Sequence, residues 1–410
     1  MHDVIKKPAV GAPPKAERFV EIFRQFPSIG HLRARARTHA PRFAFEYMDG
    51  GAGADTGIAH NWAALDAVEL VPRYGVTTKL PPIDVELFGR RYAAPFGVAP
   101  MGGPSIVWPG ADVLLAKAAQ RARVPYTLGL VGGATIEEIA DVAGDVFWFQ
   151  LYRCANNEHA IGFDLVKRAE AAGVQVLLLT LDVPVRTTRS REVVVGLGGA
   201  GLFRPGPRML WDIVTSPRWA YAMYRNGQPR FANIKHYAPK GASLNEVIAF
   251  ARTEMGGAFS WDEVARYRDR WKGPLVVKGV LHPADAEQAV RLGVDGVVVS
   301  NHGGRQIEAL PASIDCLPAV VQAIGSRATV LMDSGVRSGT DVVRALALGA
   351  SAAFAGKAFL WSLGALGPDG PGHVLDLLFD ETQAALGQIG AQTPGDATKV
   401  VIRHPGALAF

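Results

Sequence analysis

Seven consecutive residues, Ser300-Asn301-His302-Gly303-Gly304-Arg305-Gln306, carry the densest grouping of reactive side chains in the chain. A histidine three residues before an arginine sets a proton acceptor beside a fixed cation that can grip a carboxylate through two parallel hydrogen bonds. The two intervening glycines allow close backbone approach to a ligand. A second grouping lies further on, where Asp333-Ser334-Gly335-Val336-Arg337-Ser338-Gly339 leads into a helical pattern and Gly356-Lys357 closes the next apolar run. Backbone N–H groups at a helix start, with Arg337 and Lys357 as cations, suit a phosphate. These residues alone leave open whether that phosphate belongs to a substrate or to a cofactor.

Such residues need a scaffold that delivers them to one place. From about Ala94 onward, short apolar runs rich in β-branched residues alternate with helical patterns, as repeated βα units do. Eight runs stand out: Pro95 to Ala99, Pro125 to Leu130, Val146 to Leu151, Val174 to Leu181, Pro274 to Gly279, Asp295 to Ser300, Ala328 to Asp333 and Ala352 to Gly356. Eight parallel strands with intervening helices predict an α/β fold, a closed (β/α)8 TIM barrel. In such a barrel the active site sits at the C-terminal strand ends. Those ends read Pro100-Met101-Gly102, Gly129, Gln150-Leu151-Tyr152, Thr180-Leu181-Asp182, Lys278-Gly279, Ser300-Asn301-His302, Asp333-Ser334-Gly335 and Gly356-Lys357. Polar, charged or glycine residues occupy every one, which argues for a polar site at the mouth.

Around this core the sequence reads as one domain spanning 1–410, with an N-terminal helical extension over 17–93, the barrel over 94–370 and an insertion over 184–260 between the fourth and fifth strands. Residues 17–51 predict two or three short helices, which either close the barrel's bottom or reach its mouth. The insertion is far longer than the few residues usual for such a connection. Its glycine-rich stretch 196–201 could cradle a phosphate, but with no strand-to-helix context around it, it reads rather as a mobile lid. Its aromatic stretch, Trp211 to Gly227, suits packing on the barrel, on another subunit or on a membrane surface. Hydrophobic residues make up 49% of the chain and charged residues 20%, enough apolar material for a large core and too few charges for a disordered chain. The net charge of +5 is spread out apart from Arg33, Arg35 and Arg37, so no nucleic-acid partner is expected. Cys154 and Cys316 lie outside any metal-binding spacing, and neither a disulfide framework nor a metal site is expected. With no signal-peptide core and no apolar run of about 18 residues, a cytoplasmic location is expected.

SNHGGRQ, taken together with VKGV (Val277 to Val280), FQLY (Phe149 to Tyr152), LTLD (Leu179 to Asp182) and DSGVRSG, resembles the FMN-dependent L-2-hydroxy acid oxidase and dehydrogenase family, whose members include glycolate oxidase, lactate oxidase, mandelate dehydrogenase and flavocytochrome b2. The resemblance implies FMN as cofactor and oxidation of a 2-hydroxy acid, lactate- or mandelate-like, to the 2-oxo acid. It makes His302 the base and Asp182 the group that stabilises the imidazolium. Arg305 would bind the substrate carboxylate, with Arg189 as second clamp and Arg191 as a competitor for that role. Tyr152 and Tyr47, the latter in FEYMDGGA, would hydrogen-bond the substrate's oxygens. Lys278 would stand beside the pyrimidine edge of the flavin and stabilise its anionic reduced form. Gln150, Thr180, Ser300 and the backbone of Pro100, Met101 and Gly102 carry over as ring contacts. Asp333, Ser334, Gly335 and Arg337, with Gly356 and Lys357, carry over as ribityl and phosphate contacts.

The chain also departs from the family pattern. A serine and a tryptophan common after the second strand are here Gly129 and Val131, which removes a flavin hydrogen bond and a wall of the substrate pocket. The usual phosphate arginine is Lys357, which keeps the charge without the bidentate fork, and a usual threonine is Met101. SPRWAYAMYRNG (Ser216 to Gly227) and DSGVRSG look more like the bacterial lactate dehydrogenases of the family, which favours a quinone or protein acceptor over oxygen. That resemblance also implies a homo-oligomer, a tetramer in the family, and allows peripheral contact with the inner face of a membrane. Two rival readings remain at this point: another FMN barrel such as a type 2 isopentenyl diphosphate isomerase, and a barrel that binds a phosphorylated ligand without catalysis.

Overall fold

A computed structural model describes residues 15, 18–76, 79–185, 187–197 and 206–410. Eight parallel strands close into a barrel in chain order: β1 (Phe96–Val98), β2 (Tyr126–Gly129), β3 (Phe147–Leu151), β4 (Val176–Thr180), β5 (Leu275–Val280), β6 (Gly296–Val299), β7 (Thr329–Met332) and β8 (Ala352–Ala355). All eight apolar runs therefore become barrel strands. They are nearly continuous in Val, Leu, Phe and Ala because both faces of a parallel barrel strand are covered, one by the interior and one by helices. The register sets Thr180 beside Lys278, and a bulge follows between Lys278 and Val280. Gly279 takes up the bulge with φ +97, a conformation open to glycine at little cost.

The two ends of the barrel are finished differently. A hairpin, Val85–Leu87 with Arg90–Tyr92, lies at the end where the strands begin. Its Phe88 stacks edge-on against Trp148, and the Trp148 indole donates to the Tyr92 hydroxyl at 2.9 Å. The N-terminal helices go the other way, to the mouth. They are α1 (Phe19–Gln25), α2 (Ile29–His39), α3 (Arg42–Asp49) and α4 (Thr56–Asp66). Helix α2 packs Leu32 and Ala36 against the helix Lys357–Leu366, close enough that a side chain at Gly364 would collide with Ala36 and Met48. Sequence reading gave two or three helices up to residue 51; three form there, and α4 is a fourth beyond it.

The insertion is helical where it is described. Helices α5 (Ser190–Val194), α6 (Pro207–Val214), α7 (Pro217–Asn226) and α8 (Leu244–Glu254) follow one another, with a short turn at Ala232–Lys235. Both α6 and α7 start with proline in the first turn, where its missing N–H costs nothing. A capping box, Ser243 with Glu246, opens α8. Of the glycine-rich stretch 196–201, residues 198–201 lie outside the described residues. The aromatic stretch splits its side chains between two surroundings. Trp219 is buried, edge-on to Phe43 and donating to the Ile106 carbonyl, whereas Trp211, Tyr221 and Tyr224 face solvent.

Candidate active site

His302 follows β6 in a tight turn with φ +59. Its backbone N–H donates to the Ser300 hydroxyl at 3.0 Å, which fixes the turn beneath the ring. Its Nδ1 lies 2.9 Å from Asp182 Oδ1 at the end of β4. The carboxylate accepts from Nδ1–H, so the lone pair of neutral histidine sits on Nε2, 3.5 Å from the Tyr152 hydroxyl. Burial opposes the ionised form of Asp182, but the His302 and Lys278 charges and the histidine hydrogen bond outweigh it and hold the carboxyl below its usual range. Asp182 can lie there because residue 279 is glycine: a Cβ at that position would sit 2.5 Å from the Asp182 Cβ. The bulge in β5 thus makes room for Asp182 beside His302.

Lys278, one residue earlier, is buried in the floor. Its Nζ donates to Ser300 Oγ at 2.7 Å and pairs with Asp333 Oδ2 at 2.9 Å. Burial would lower its pKa, yet Asp333 and Asp182 overcome that and raise it, so the ammonium persists. Ser334, at φ +82, accepts hydrogen bonds from the backbone of Asn301 and Gly303 and ties the β6 and β7 ends together. Gln150 donates to Thr180 at 2.8 Å below this layer.

Two arginines stand side by side at the mouth. Arg305 donates to the carbonyls of Tyr47 and Gly50, at the C-terminal end of α3 where helix carbonyls lack partners. Its other terminal nitrogen pairs with Glu192 of α5. Arg189 donates to the Arg305 carbonyl at 3.3 Å and lies 3.5 Å from the same Glu192 carboxylate. Arg191 faces away, paired with Glu46, Asp49 and Asp55. Between the two candidates for second clamp, Arg189 is the one at the cavity. Glu192 was missed in the sequence, where a lone Glu in an irregular stretch carries no signal.

The expected phosphate cations are placed less simply. Lys357 donates to the carbonyls of Met48, Asp49 and Gly50, the closest at 2.6 Å. Burial, then the charge of Arg305, pulls its pKa far down. The Arg337 side chain does not reach the cavity; it pairs with Asp66 at 2.6 Å and lies over the Trp62 ring. The Tyr47 hydroxyl donates to the Gly102 carbonyl, and burial lifts its pKa to about 12, so it stays a phenol. The two glycines of SNHGGRQ differ as well. Gly303 lines the cavity with open space beside it, while Gly304 is approached by protein, a Cβ there meeting the Ile58 backbone at 2.8 Å. The N-terminal segment, with Asn61 and Asn301 exchanging side-chain hydrogen bonds at 2.9 and 2.7 Å, is thereby locked onto the loop that carries His302.

These residues surround a cavity of about 950 Å³ at the mouth. One wall is Pro100, Met101, Gly102, Lys278, Asp333 to Val336, Gly356 and Lys357; the opposite side is Tyr152, Arg189, His302 and Arg305; the roof is apolar and comes from the insertion, including Trp219, Met223, Ile248 and Met255. Gln150, Thr180, Asp182 and Ser300 lie outside the lining and support it from below or behind. The first wall fits flavin mononucleotide. The Lys278 ammonium would meet the flavin ring, the backbone around Gly335 and Gly356 would hold the ribityl chain and phosphate, and Lys357 is a buried amine whose protonated form an anionic neighbour would stabilise.

The fold and this wall define an FMN-dependent barrel oxidoreductase. The family profile described as FMN-dependent dehydrogenase matches residues 36–404, and the chain belongs to that family. It is 37% identical over 369 residues to an L-lactate dehydrogenase of Pectobacterium atrosepticum, covering 89% of this chain and 94% of that one. An L-lactate dehydrogenase of Caulobacter vibrioides is 37% identical over 374 residues, covering 90% and 96%. Among solved structures, the monotopic membrane protein (S)-mandelate dehydrogenase superposes with a TM-score of 0.86 at 31% identity, over 92% of this chain and 99% of that one. Mandelate oxidase with (S)-4-hydroxymandelic acid gives 0.79 at 33% identity, over 93% and 100%.

Proposed function

We propose that the protein oxidises an L-2-hydroxy acid, lactate- or mandelate-like, to the 2-oxo acid. The observation that carries this reading is the His302–Asp182 pair beside two arginines, on the side of the cavity that faces the flavin wall. Arg305 and Arg189 hold the substrate carboxylate. His302 Nε2 takes a substrate proton, and Asp182 keeps the resulting imidazolium in place without accepting the proton itself. The Tyr152 hydroxyl, beside Nε2, hydrogen-bonds the substrate oxygen. Lys278 puts a fixed positive charge at the floor, where negative charge develops. When bound, FMN supplies the acceptor for the two electrons that leave the substrate. The isomerase and non-catalytic readings have no use for this base, carboxylate and arginine set.

The acceptor in the second half of the cycle is a quinone or a protein, reached at a membrane surface on which the protein sits peripherally. Support comes from the exposed Leu210, Trp211, Val214, Tyr221 and Tyr224 of α6 and α7, and from the likeness to a monotopic membrane protein. No described helix is long and apolar enough to cross a membrane. Mixing the yellow protein anaerobically with L-lactate and L-mandelate should bleach the flavin, and the D-enantiomers should not. Absence of bleaching by every 2-hydroxy acid tried would overturn the reading.

A further inference from the structure

A second cavity, about 1170 Å³, shares no residue with the first. It lies between the end of α2, the start of α3 and the turn joining α6 to α7. Five arginines line it, but two are already neutralised: Arg33 pairs with Asp49 at 2.7 Å, and Arg191 pairs with Glu46, Asp49 and Asp55. The other three are held loosely or not at all. Arg37 has no hydrogen bond or ion pair among the described residues, Arg42 is 3.8 Å from Glu46, and Arg218 makes one 3.4 Å bond to the Leu366 carbonyl. Facing them is one carboxylate outside the pairs above, Asp212. The Ser216 hydroxyl, at the start of α7, makes no capping bond.

Three guanidiniums with most of their donors unused around one cavity call for an anion with several acceptor oxygens. The surroundings say which kind. The segment that walls the cavity, Asp212 to Arg218, is continuous with the helices that expose Leu210, Trp211 and Val214 on one side and Tyr221 and Tyr224 on the other. An occupant with its anionic end among the arginines therefore has an apolar surface next to it. We infer that this cavity is a headgroup site for an anionic phospholipid, with the phosphodiester between Arg37, Arg42 and Arg218 and the acyl chains along the apolar faces of α6 and α7. It gives a use to Arg37 of the Arg33, Arg35, Arg37 cluster; Arg33 is held by Asp49, and Arg35 lies outside the lining. The inference rests on the peripheral-membrane reading above and adds a lipid class to it.

The test is flotation of the FMN-loaded protein with vesicles of phosphatidylcholine alone or mixed with phosphatidylglycerol. The double variant Arg37→Ser/Arg218→Ser is compared with Arg208→Ser/Arg225→Ser, which removes the same charge from exposed positions of α6 and α7 outside the cavity. The expected result is preference of the unaltered protein for the anionic vesicles, a loss of about tenfold or more in that preference for the first variant, and a much smaller loss for the second. Equal losses would show diffuse attraction and overturn the headgroup site while leaving membrane contact standing. No binding of the unaltered protein to either vesicle would overturn both. Saturable binding of inorganic phosphate, abolished by Arg37→Ser/Arg218→Ser, would assign the cavity to a soluble anion and overturn the lipid. Neither variant touches the catalytic machinery, so unchanged oxidation rates with a soluble acceptor report that both are folded.

Discussion

At the floor of the mouth, His302, Asp182 and Lys278 stand on neighbouring strand ends and are held by short hydrogen bonds to one another or to Ser300 and Asp333. In the roof, α6 and α7 anchor through a few inward side chains such as Trp219 and Met209 and turn most of their aromatic surface to solvent. The floor is set by the geometry of a closed barrel, in which strand ends must converge. The roof is constrained only by what it touches, and half of what it offers faces outward. Under the proposed function, chemistry falls to the first region, while partner choice and surface fall to the second. Arg189 and Glu192, at the start of the insertion, join the two.

Substitutions can break or sharpen this division. Gly279→Ala strikes the floor hardest, because a Cβ would meet the Asp182 side chain at 2.5 Å and the φ of +97 disfavours any side chain. With the base's partner displaced, oxidation should fall about a thousandfold while FMN remains bound, read by turnover alongside the flavin spectrum. An active alanine variant would mean that Asp182 does not orient His302.

A stability measurement probes the wall between the regions. Asp112 is buried, accepts hydrogen bonds from the Gly133 N–H, Ser105 and Tyr126, and is pushed by burial from 3.8 to about 6, those bonds opposing. A carboxyl raised in the folded state favours folding below the unfolded value and loses that contribution as pH rises through about 6. Stability should therefore decline between about pH 4 and 6 by up to about 3 kcal/mol from this group. Asp112→Asn should flatten that part of the urea-unfolding profile, and an unchanged slope would assign it elsewhere.

At the junction, Glu192→Gln removes the charge that bridges Arg305 and Arg189. We expect KM for the hydroxy acid to rise about tenfold with kcat changed far less, since a charge-assisted bond orienting the clamp is lost. A lower KM would instead mean that Glu192 competes with the substrate carboxylate. The smallest effect on chemistry belongs to the outer roof. Trp211→Ser with Tyr224→Ser should leave turnover with a soluble acceptor within about twofold and weaken vesicle binding several-fold.

The same contrast explains what could be read from the sequence. Barrel strands are buried on both faces, so they appear as unbroken apolar runs, and the residues after them fall at the mouth by topology alone. That is why His302, Asp182 and Lys278 were legible. Arg337 shows the limit of this rule, since its place in DSGVRSG does not tell whether the side chain turns inward or, as it does, toward Asp66. Lys357 and Arg305 meet the carbonyls of α3 some 250 or more residues away in the chain, a contact without any local pattern. The insertion read as irregular, although Pro207, Pro217 and the Ser243/Glu246 box were helix-start signals within it. Its short helices lack a long apolar period, and the outward side chains blur what period there is.

The central claim is that His302, held by Asp182, is the base for substrate oxidation. Anaerobic stopped-flow reduction of the FMN-loaded His302→Gln variant by the best 2-hydroxy acid substrate addresses it most directly. The account predicts a yellow protein that binds substrate but bleaches at least about a thousandfold more slowly than the unaltered enzyme. Bleaching at the unaltered rate would contradict it.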